Sequence, residues 1–415
     1  MQTQIVVVGA GMVGVCCALS LQRRGYAVTL IDRKAPGRET SYGNSGVLSR
    51  SSVFPINGPG LLRQLPRYVA NRRPAVRWRA SLLRRPAWIA QFLAQCTPAG
   101  TARRAQALND LIALSMDLNR RLIAQAGLAH HVRETGWLKV WRQEHGADHA
   151  RAEAAALSAF GIATQTLDDD GIATLEPAAA RVFQAGLLIK DAASVDDPGA
   201  IVAGYAALFQ RHGGALVRRE VSGLFRTTTG WRLDAGDTTF DADEVVVALG
   251  PWSADLLRPL GYRIPLGFER GYHVHLAATD GAGPRRAVYD VEGGYVASPM
   301  RDGVRVTSGV ELAARDAKPN TAQIEHAEQL ARKTFGLGER VGATPWLGSR
   351  PTLPDSLPMI GPMPRARGLW AAFGHQHVGF STGAATGEII AAAIAGEPAP
   401  MDARAFAPAR FTIAK

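Results

Sequence analysis

The stretch from Gln4 to Asp32 constrains this chain more than any other. Gln4-Ile5-Val6-Val7-Val8 is a continuous, mostly β-branched run, which predicts a strand buried on both faces of a parallel sheet. Gly9-Ala10-Gly11-Met12-Val13-Gly14 comes next, then a helical stretch to about Arg24, a stop at Gly25, and a second strand over residues 27–31 with Asp32 at its tip. In such a G-x-G-x-x-G turn the first glycine permits the tight bend and the second lets the backbone approach a pyrophosphate. The third lets helix and strand pack closely, and the free N–H groups at the helix start face the phosphates. Asp32, eighteen residues past Gly14, is placed to accept hydrogen bonds from an adenosine ribose. A glycine triplet alone is a weak signal. Strand, glycines, helix, strand and acid in this order predict a dinucleotide site on a Rossmann-type α/β fold, rather than a plain glycine-rich turn.

The same stretch holds the longest apolar run, Ile5 to Leu21, but three glycines interrupt it and no Lys or Arg precedes it. It reads as strand plus helix, not as a signal peptide or membrane span, so the expected location is cytoplasmic. Three cysteines, two of them adjacent (Cys16 and Cys17), cannot form a disulfide framework; with no C-x-x-C or H-E-x-x-H, no metal site is expected.

The residues after the second strand decide which dinucleotide is bound. Arg33, beside Asp32, could meet a 2′-phosphate in an NADP site, but it reads as a solvated arginine at the edge of the cofactor set. The loop Arg38-Glu39-Thr40-Ser41-Tyr42-Gly43-Asn44-Ser45-Gly46 is small and polar, suited to a backbone lying against a large cofactor, and points to FAD. The chain holds one such fingerprint, whereas passing electrons from NAD(P)H to a flavin would usually need two. Electrons are therefore expected to come from a substrate.

At 415 residues the chain has room for two or three domains. Asp197-Pro198 opens a helix that runs to His212, residues 215–226 alternate as strands around Val221, and residues 244–249 form another buried strand broken by Gly250-Pro251-Trp252. Shorter alternating segments at 271–277, 294–299 and 303–310 suit an antiparallel sheet, and residues 321–334 read as a helix. Near the end come a strand at 369–373, a glycine-bounded loop at 374–379 and an Ala/Ile helix at 383–395.

Taken together, residues 6–32, the Glu39-to-Gly46 loop, Val245-to-Ser253 (VVVALGPWS), Gly348-Ser349-Arg350-Pro351 and Gly374-His375-Gln376-His377-Val378-Gly379 resemble the D-amino acid oxidase family of flavoproteins, and within it the bacterial D-amino acid dehydrogenases. The resemblance implies a discontinuous Rossmann-type FAD-binding domain (residues 1–90, 196–262 and 341–415) and an α+β substrate domain with an antiparallel sheet (91–195 and 263–340). It implies dissociable FAD held by Gly9, Gly11, Met12, Gly14 and Asp32, with Ser41, Asn44, Ser45, Gly46 and Val47 near the pyrophosphate and flavin. Val221 would approach the adenine, Gly250 and Trp252 the adenosine and pyrophosphate, and Gly374, His375, Gln376, Val378, Gly379 and Phe380 the isoalloxazine. Gln376 replaces the usual second glycine of that loop, so a positive φ there would strain it.

Arg350 is the position that such enzymes use to hold a substrate carboxylate, a task for which a planar, always-charged fork is suited. Tyr295, fifty-five residues earlier, matches the family tyrosine that meets the same carboxylate, and Tyr272 and His377 match pocket positions. The implied reaction is oxidative deamination of a D-amino acid, including cyclic proline-type ones, by hydride transfer from the α carbon to flavin N5, with no catalytic base required. Electrons would pass to a quinone or another acceptor. Oxidation of glycine, sarcosine or another N-substituted amino acid is the alternative enzyme reading, and a flavin-binding subunit of an electron-transfer complex the alternative of another class. The covalent links of some relatives have no residue here, since no His precedes His130 and no Cys follows Cys96.

Charge adds one expectation. Lys and Arg number 47 against 36 Asp and Glu, and from Thr40 to Asn109 there are eleven arginines and no acid. With no nucleic-acid signature, the 50–104 segment reads either as a peripheral membrane contact on the inner face, with Leu82, Leu83, Trp88, Ile89, Phe92 and Leu93 as an apolar face, or as a helix covering the flavin domain.

Overall fold

The computed structural model describes residues 2–71, 74–279 and 281–413; Arg72 and Arg73 of the basic segment lie outside these. The strand Gln4–Val8 pairs in parallel with Ala27–Asp32 on one side and Glu244–Val247 on the other. The full order of this six-stranded sheet is Ala215–Arg218, Ala27–Asp32, Gln4–Val8, Glu244–Val247, Leu369–Phe373 and Met359–Pro362, antiparallel only at the last pair. Ile5, Val6, Val7 and Val8 are all buried, because the strand alternates between two cores. Ile5 and Val7 face the helices Met12–Gln22, Pro198–Arg211 and Gly379–Ala395, while Val6 and Val8 face a small three-stranded sheet through Leu224, Trp231 and Leu233. The helices Met12–Gln22 and Gly379–Ala395 cross closely: a Cβ on Gly387 would lie 2.5 Å from the Cys16 carbonyl oxygen.

The second layer is a ten-stranded, mostly antiparallel sheet. Its registers set one row of side chains across six strands: Lys139, Tyr289, Val296, Thr307, His273 and Trp346. The neighbouring row, Val140, Asp290, Tyr295 and Ser308, points to the opposite face. There Tyr272, Val274, Tyr295 and Val306 pack against the helix Ala322–Phe335 through Ile324, Ala327 and Ala331. Because a strand repeats every two residues, this parity decides which tyrosines reach the site.

The structure corrects three sequence expectations. Residues 215–226 form two strands in different sheets, Ala215–Arg218 and Gly223–Arg226, with Val221 between them. The last helix starts at Gly379, one turn earlier than expected. Residues 82–93 do not form one amphipathic helix. A 3-10 turn ends at Arg84, Pro86 starts a separate helix to Ala94, and Trp88 is buried, stacked 4.9 Å from Phe92. Among the described α-helices, the one without a buried residue is Gly60–Val69, where Leu62 and Val69 are exposed.

Candidate active site

Between the two sheets lies a cavity of about 820 Å³, and the predicted cofactor and substrate residues divide along it. At the glycine turn Gly9 has φ +111°, and a Cβ on Gly14 would sit 1.8 Å from the Gly9 carbonyl oxygen, so strand and helix meet without room for a side chain. Asp32 is fixed by two backbone donors, Ala10 N at 2.7 Å and Lys34 N at 2.8 Å; its partial burial raises its pKa. The 39–46 loop closes over the helix start, where Met12 N donates to Ser41 Oγ at 3.0 Å. Asn44 Oδ1 accepts from Gly46 N and Val47 N at 2.8 and 3.2 Å. Arg33 is not simply solvated: its guanidinium lies 4.4 Å over the Trp252 ring and pairs with Glu39 at 3.1 Å. Val221, Gly250 and Trp252 line the same end, as Ser45 and Val47 line the middle. Gly14, Gly46 and Val378 do not line the cavity and contribute through packing.

The roof sheet is tied to that loop by a residue that no sequence motif singles out. Arg305 is buried and donates to the carbonyls of Tyr42 and Asn44 at 2.8 and 2.6 Å, and to His275 Nε2 at 3.1 Å. Burial pushes its pKa down to about 10.

The 374–380 loop forms the floor at the other end. Gln376 adopts φ +50°, a left-handed conformation costing a non-glycine residue on the order of 1–2 kcal/mol. Its N–H donates to the Pro351 carbonyl at 2.9 Å, which holds the turn. His375 is buried against Thr386, Nε2 to Oγ1 2.9 Å, and burial lowers its pKa to about 3, so it is a neutral structural tie. The helix Gly379–Ala395 begins here without a side-chain cap; Gly379, Phe380 and Ser381 of its first turn line the cavity, presenting unsatisfied N–H groups and the positive end of the dipole.

Arg350 lines the cavity with its guanidinium packed over Gly271, where a Cβ would come within 2.6 Å of Nη2. Burial lowers its pKa and Glu269, paired across the strands, partly offsets this, yet no carboxylate among the described residues forms an ion pair with it. His377 opens onto the same end. Desolvation within the cavity, and then the charges of Arg350 and Lys139, lower its pKa.

Neither predicted tyrosine turns its hydroxyl to this end, although Tyr295 borders the cavity. Tyr272 is fully buried on the helix face of the sheet, donating to Glu311 Oε2 at 3.0 Å and accepting from Asn320 N at 2.9 Å. Tyr295 borders the cavity, but its ring packs in the helix-side core and its hydroxyl reaches Thr334 Oγ1 at 3.5 Å. The tyrosine facing the cavity is Tyr289, on the opposite parity, beside Lys139, Trp137 and Glu153. Alternation separates Tyr289 from Tyr295 in the sequence, but only the position of the Ala322–Phe335 helix tells which face is which.

Gln376 Nε2, Thr307 Oγ1 and Trp137 Nε1 are buried in the cavity wall with no hydrogen-bond partner among the described residues. Leaving a buried donor unpaired costs about 1–3 kcal/mol, so the wall is shaped for polar groups brought in from outside. The glycine turn, the Asp32 carboxylate, the uncapped helix and the unpaired Gln376 and Thr307 groups together fit a dinucleotide whose ring end is polar.

The model of the family described as FAD dependent oxidoreductase matches residues 4–393. The chain belongs to that family. Among its relatives, this FAD-dependent oxidoreductase is 32% identical to a D-amino-acid oxidase of Bradyrhizobium diazoefficiens, with 98% of each chain covered. It is 33% identical to a D-amino acid dehydrogenase of Methylobacterium nodulans over 95% of each chain. Among solved structures, glycine oxidase from Geobacillus kaustophilus superposes with a TM-score of 0.76 at 20% identity, covering 99% of this chain and 100% of that one. L-proline dehydrogenase from P. horikoshii gives 0.76 at 17% identity, covering 99% and 98%. At those identities the two structures speak for the fold: a Rossmann-type FAD-binding layer with a substrate-binding sheet above it.

Proposed function

We propose that this FAD-dependent oxidoreductase oxidises the C–N bond of D-amino acids, cyclic proline-type ones included, to an imine that water hydrolyses to a 2-oxo acid and ammonia (the cyclic imine being released as such). The observation that carries this reading is Arg350: a guanidinium in the cavity wall, without an ion-pair partner among the described residues, where a carboxylate can meet its fork. The names of the relatives support the D-configuration.

FAD, when bound, supplies a two-electron acceptor for the hydride leaving the α carbon. The chain's own residues do the rest. The glycine turn and Asp32 hold the pyrophosphate and ribose, and the first turn of the Gly379–Ala395 helix favours negative charge beside it. Arg350 anchors the substrate carboxylate and so fixes which C–H bond faces the floor. His377 has its pKa lowered, which weakens it as a proton acceptor. The desolvation, and then the charges of Arg350 and Lys139, that lower its pKa also disfavour a substrate ammonium. The amine therefore sheds its proton to water on entry, and no dedicated base is needed.

The electrons pass to a quinone or another acceptor, and the acid-free basic segment supports a membrane surface as the place of transfer. Leu62 and Val69 stand exposed on a helix that also carries Arg63 and Arg67, which supports docking on anionic lipid. No described helix is long and apolar enough to cross a membrane. Cosedimentation with anionic but not zwitterionic vesicles is the expected result; no binding at low salt would remove the membrane from the account. The substrate reading is tested by anaerobic reduction of the flavin with D- and L-amino acids, glycine and sarcosine. Reduction by glycine and sarcosine but by no D-isomer would replace it.

A further inference from the structure

The cavity that Arg350 and His377 line is also lined by Trp137, Lys139, Glu153 and Tyr289. Trp137 and Lys139 project from one face of the strand Trp137–Trp141, and Tyr289 sits beside Lys139 in the adjacent strand. The Trp137 and Tyr289 rings are parallel to within 4° at 6.1 Å, and Lys139 Nζ is 5.9 Å from each ring centre. Lys139 also forms an ion pair with Glu153. Trp137 Nε1 is buried and has no partner among the described residues. The charge of Lys139 acts on His377 together with that of Arg350, so this cluster and the carboxylate anchor flank the same histidine.

An amino acid held at Arg350 would send its side chain toward this cluster, and the cluster offers both signs of charge and an indole donor. An anionic side chain would meet Glu153 as well as Lys139, and a cationic one would meet Lys139 as well as Glu153. An apolar side chain would strip water from the ion pair and leave the Trp137 N–H unpaired, the kind of loss by which a polar site rejects an analogue lacking its hydrogen-bonding group. A neutral carboxamide matches what is present: its carbonyl accepts from Trp137 or Lys139 while its N–H₂ donates to Glu153.

We propose that Trp137, Lys139, Glu153 and Tyr289 form the side-chain subsite of this enzyme and select D-amino acids with a neutral side chain that both accepts and donates hydrogen bonds, carboxamides foremost. This rests on the amino acid reading above. The test is kcat/KM of the FAD-loaded enzyme for D-glutamine, D-methionine, D-glutamate and D-alanine, in the parent, in Trp137→Phe and in Lys139→Met/Glu153→Leu. The parent is expected to favour D-glutamine over D-methionine by tenfold or more and over D-glutamate as well. The ratio of D-glutamine to D-methionine should fall several-fold in Trp137→Phe, which keeps the ring and removes the donor, and to about one in the double variant. FAD content and melting temperature, measured beside each ratio, show that the variants are folded. D-methionine or D-glutamate equalling or exceeding D-glutamine in the parent, or an unchanged ratio in both variants, would overturn the subsite while D-alanine still reduced the flavin. Reduction by no D-amino acid at all would overturn the functional reading and the subsite with it.

Discussion

Replacing Arg350 isolates one interaction and gives it a size. A guanidinium fork makes two charge-assisted hydrogen bonds to a carboxylate, each worth about 1.5–3 kcal/mol net, or about 3–6 kcal/mol together. At about 1.4 kcal/mol per decade, Arg350→Met should lower kcat/KM for a D-amino acid by roughly 10²–10⁴. Arg350→Lys keeps the charge and loses the fork, so it should fall between the two. The fold should suffer little, because burial already lowers the pKa of Arg350 and, among the described residues, no carboxylate forms an ion pair with it, Glu269 acting only from across the strands. Its replacement by Met removes a buried cation but also the charge that compensates buried Glu269, so the melting temperature is expected to change little. The assay is anaerobic stopped-flow reduction of the flavin by a D-amino acid and by the corresponding decarboxylated amine. In the parent the amino acid should be faster by the full factor, and in Arg350→Met that gap should collapse. A loss of less than threefold with the amino acid, or an undiminished gap, would refute the role of Arg350 as anchor.

Other buried groups set further expectations. Burial lowers the pKa of His273 to about 2, His275 to about 4 and His375 to about 3. Below the ordinary value of about 6.5 the unfolded chain takes up protons that the folded one refuses, so stability falls as pH drops through that window. Going from pH 7 to 5 should cost about 2 kcal/mol for each fully buried ring, seen as a lower urea midpoint; an unchanged midpoint would contradict this. Arg305→Met removes two bonds to the 39–46 loop and should weaken FAD binding about 10–100-fold, from about 1.5–3 kcal/mol, while kcat at saturating FAD changes less. Flavin fluorescence titration reads the affinity, and equal affinities would sink the coupling. Acid precipitation should release all of the FAD into the supernatant; yellow colour left in the pellet would mean a covalent link.

The cofactor half of the site was legible because its chemistry is written locally. Gly9, Gly14 and Asp32 act within one strand–helix–strand unit, and their spacing alone specifies the turn. The motif around Arg350 pointed to the residue that the structure places in the cavity wall, its role there being the proposal above. The substrate half was not, because Tyr272, Tyr289 and Tyr295 all sit on alternating strands and only the packing of the Ala322–Phe335 helix decides which face is buried in core. Lys139 and Trp137 lie far from any motif and come to the cavity through a sheet that joins them to Tyr289. The basic segment misled for a related reason: its apolar residues at 82–93 do not share one helix face, Trp88 packing inward against Gly267 while Leu83 stands exposed on the preceding turn, and Leu62 and Val69 of Gly60–Val69 are exposed as well.

The most direct test is anaerobic bleaching of the purified protein's flavin absorbance by D-amino acids, with L-isomers, glycine and sarcosine alongside. Bleaching by D-isomers, lost in Arg350→Ala, is the predicted result. A flavin that forms normally and is bleached by none of them, or a protein that holds no flavin even after reconstitution with FAD, would contradict it.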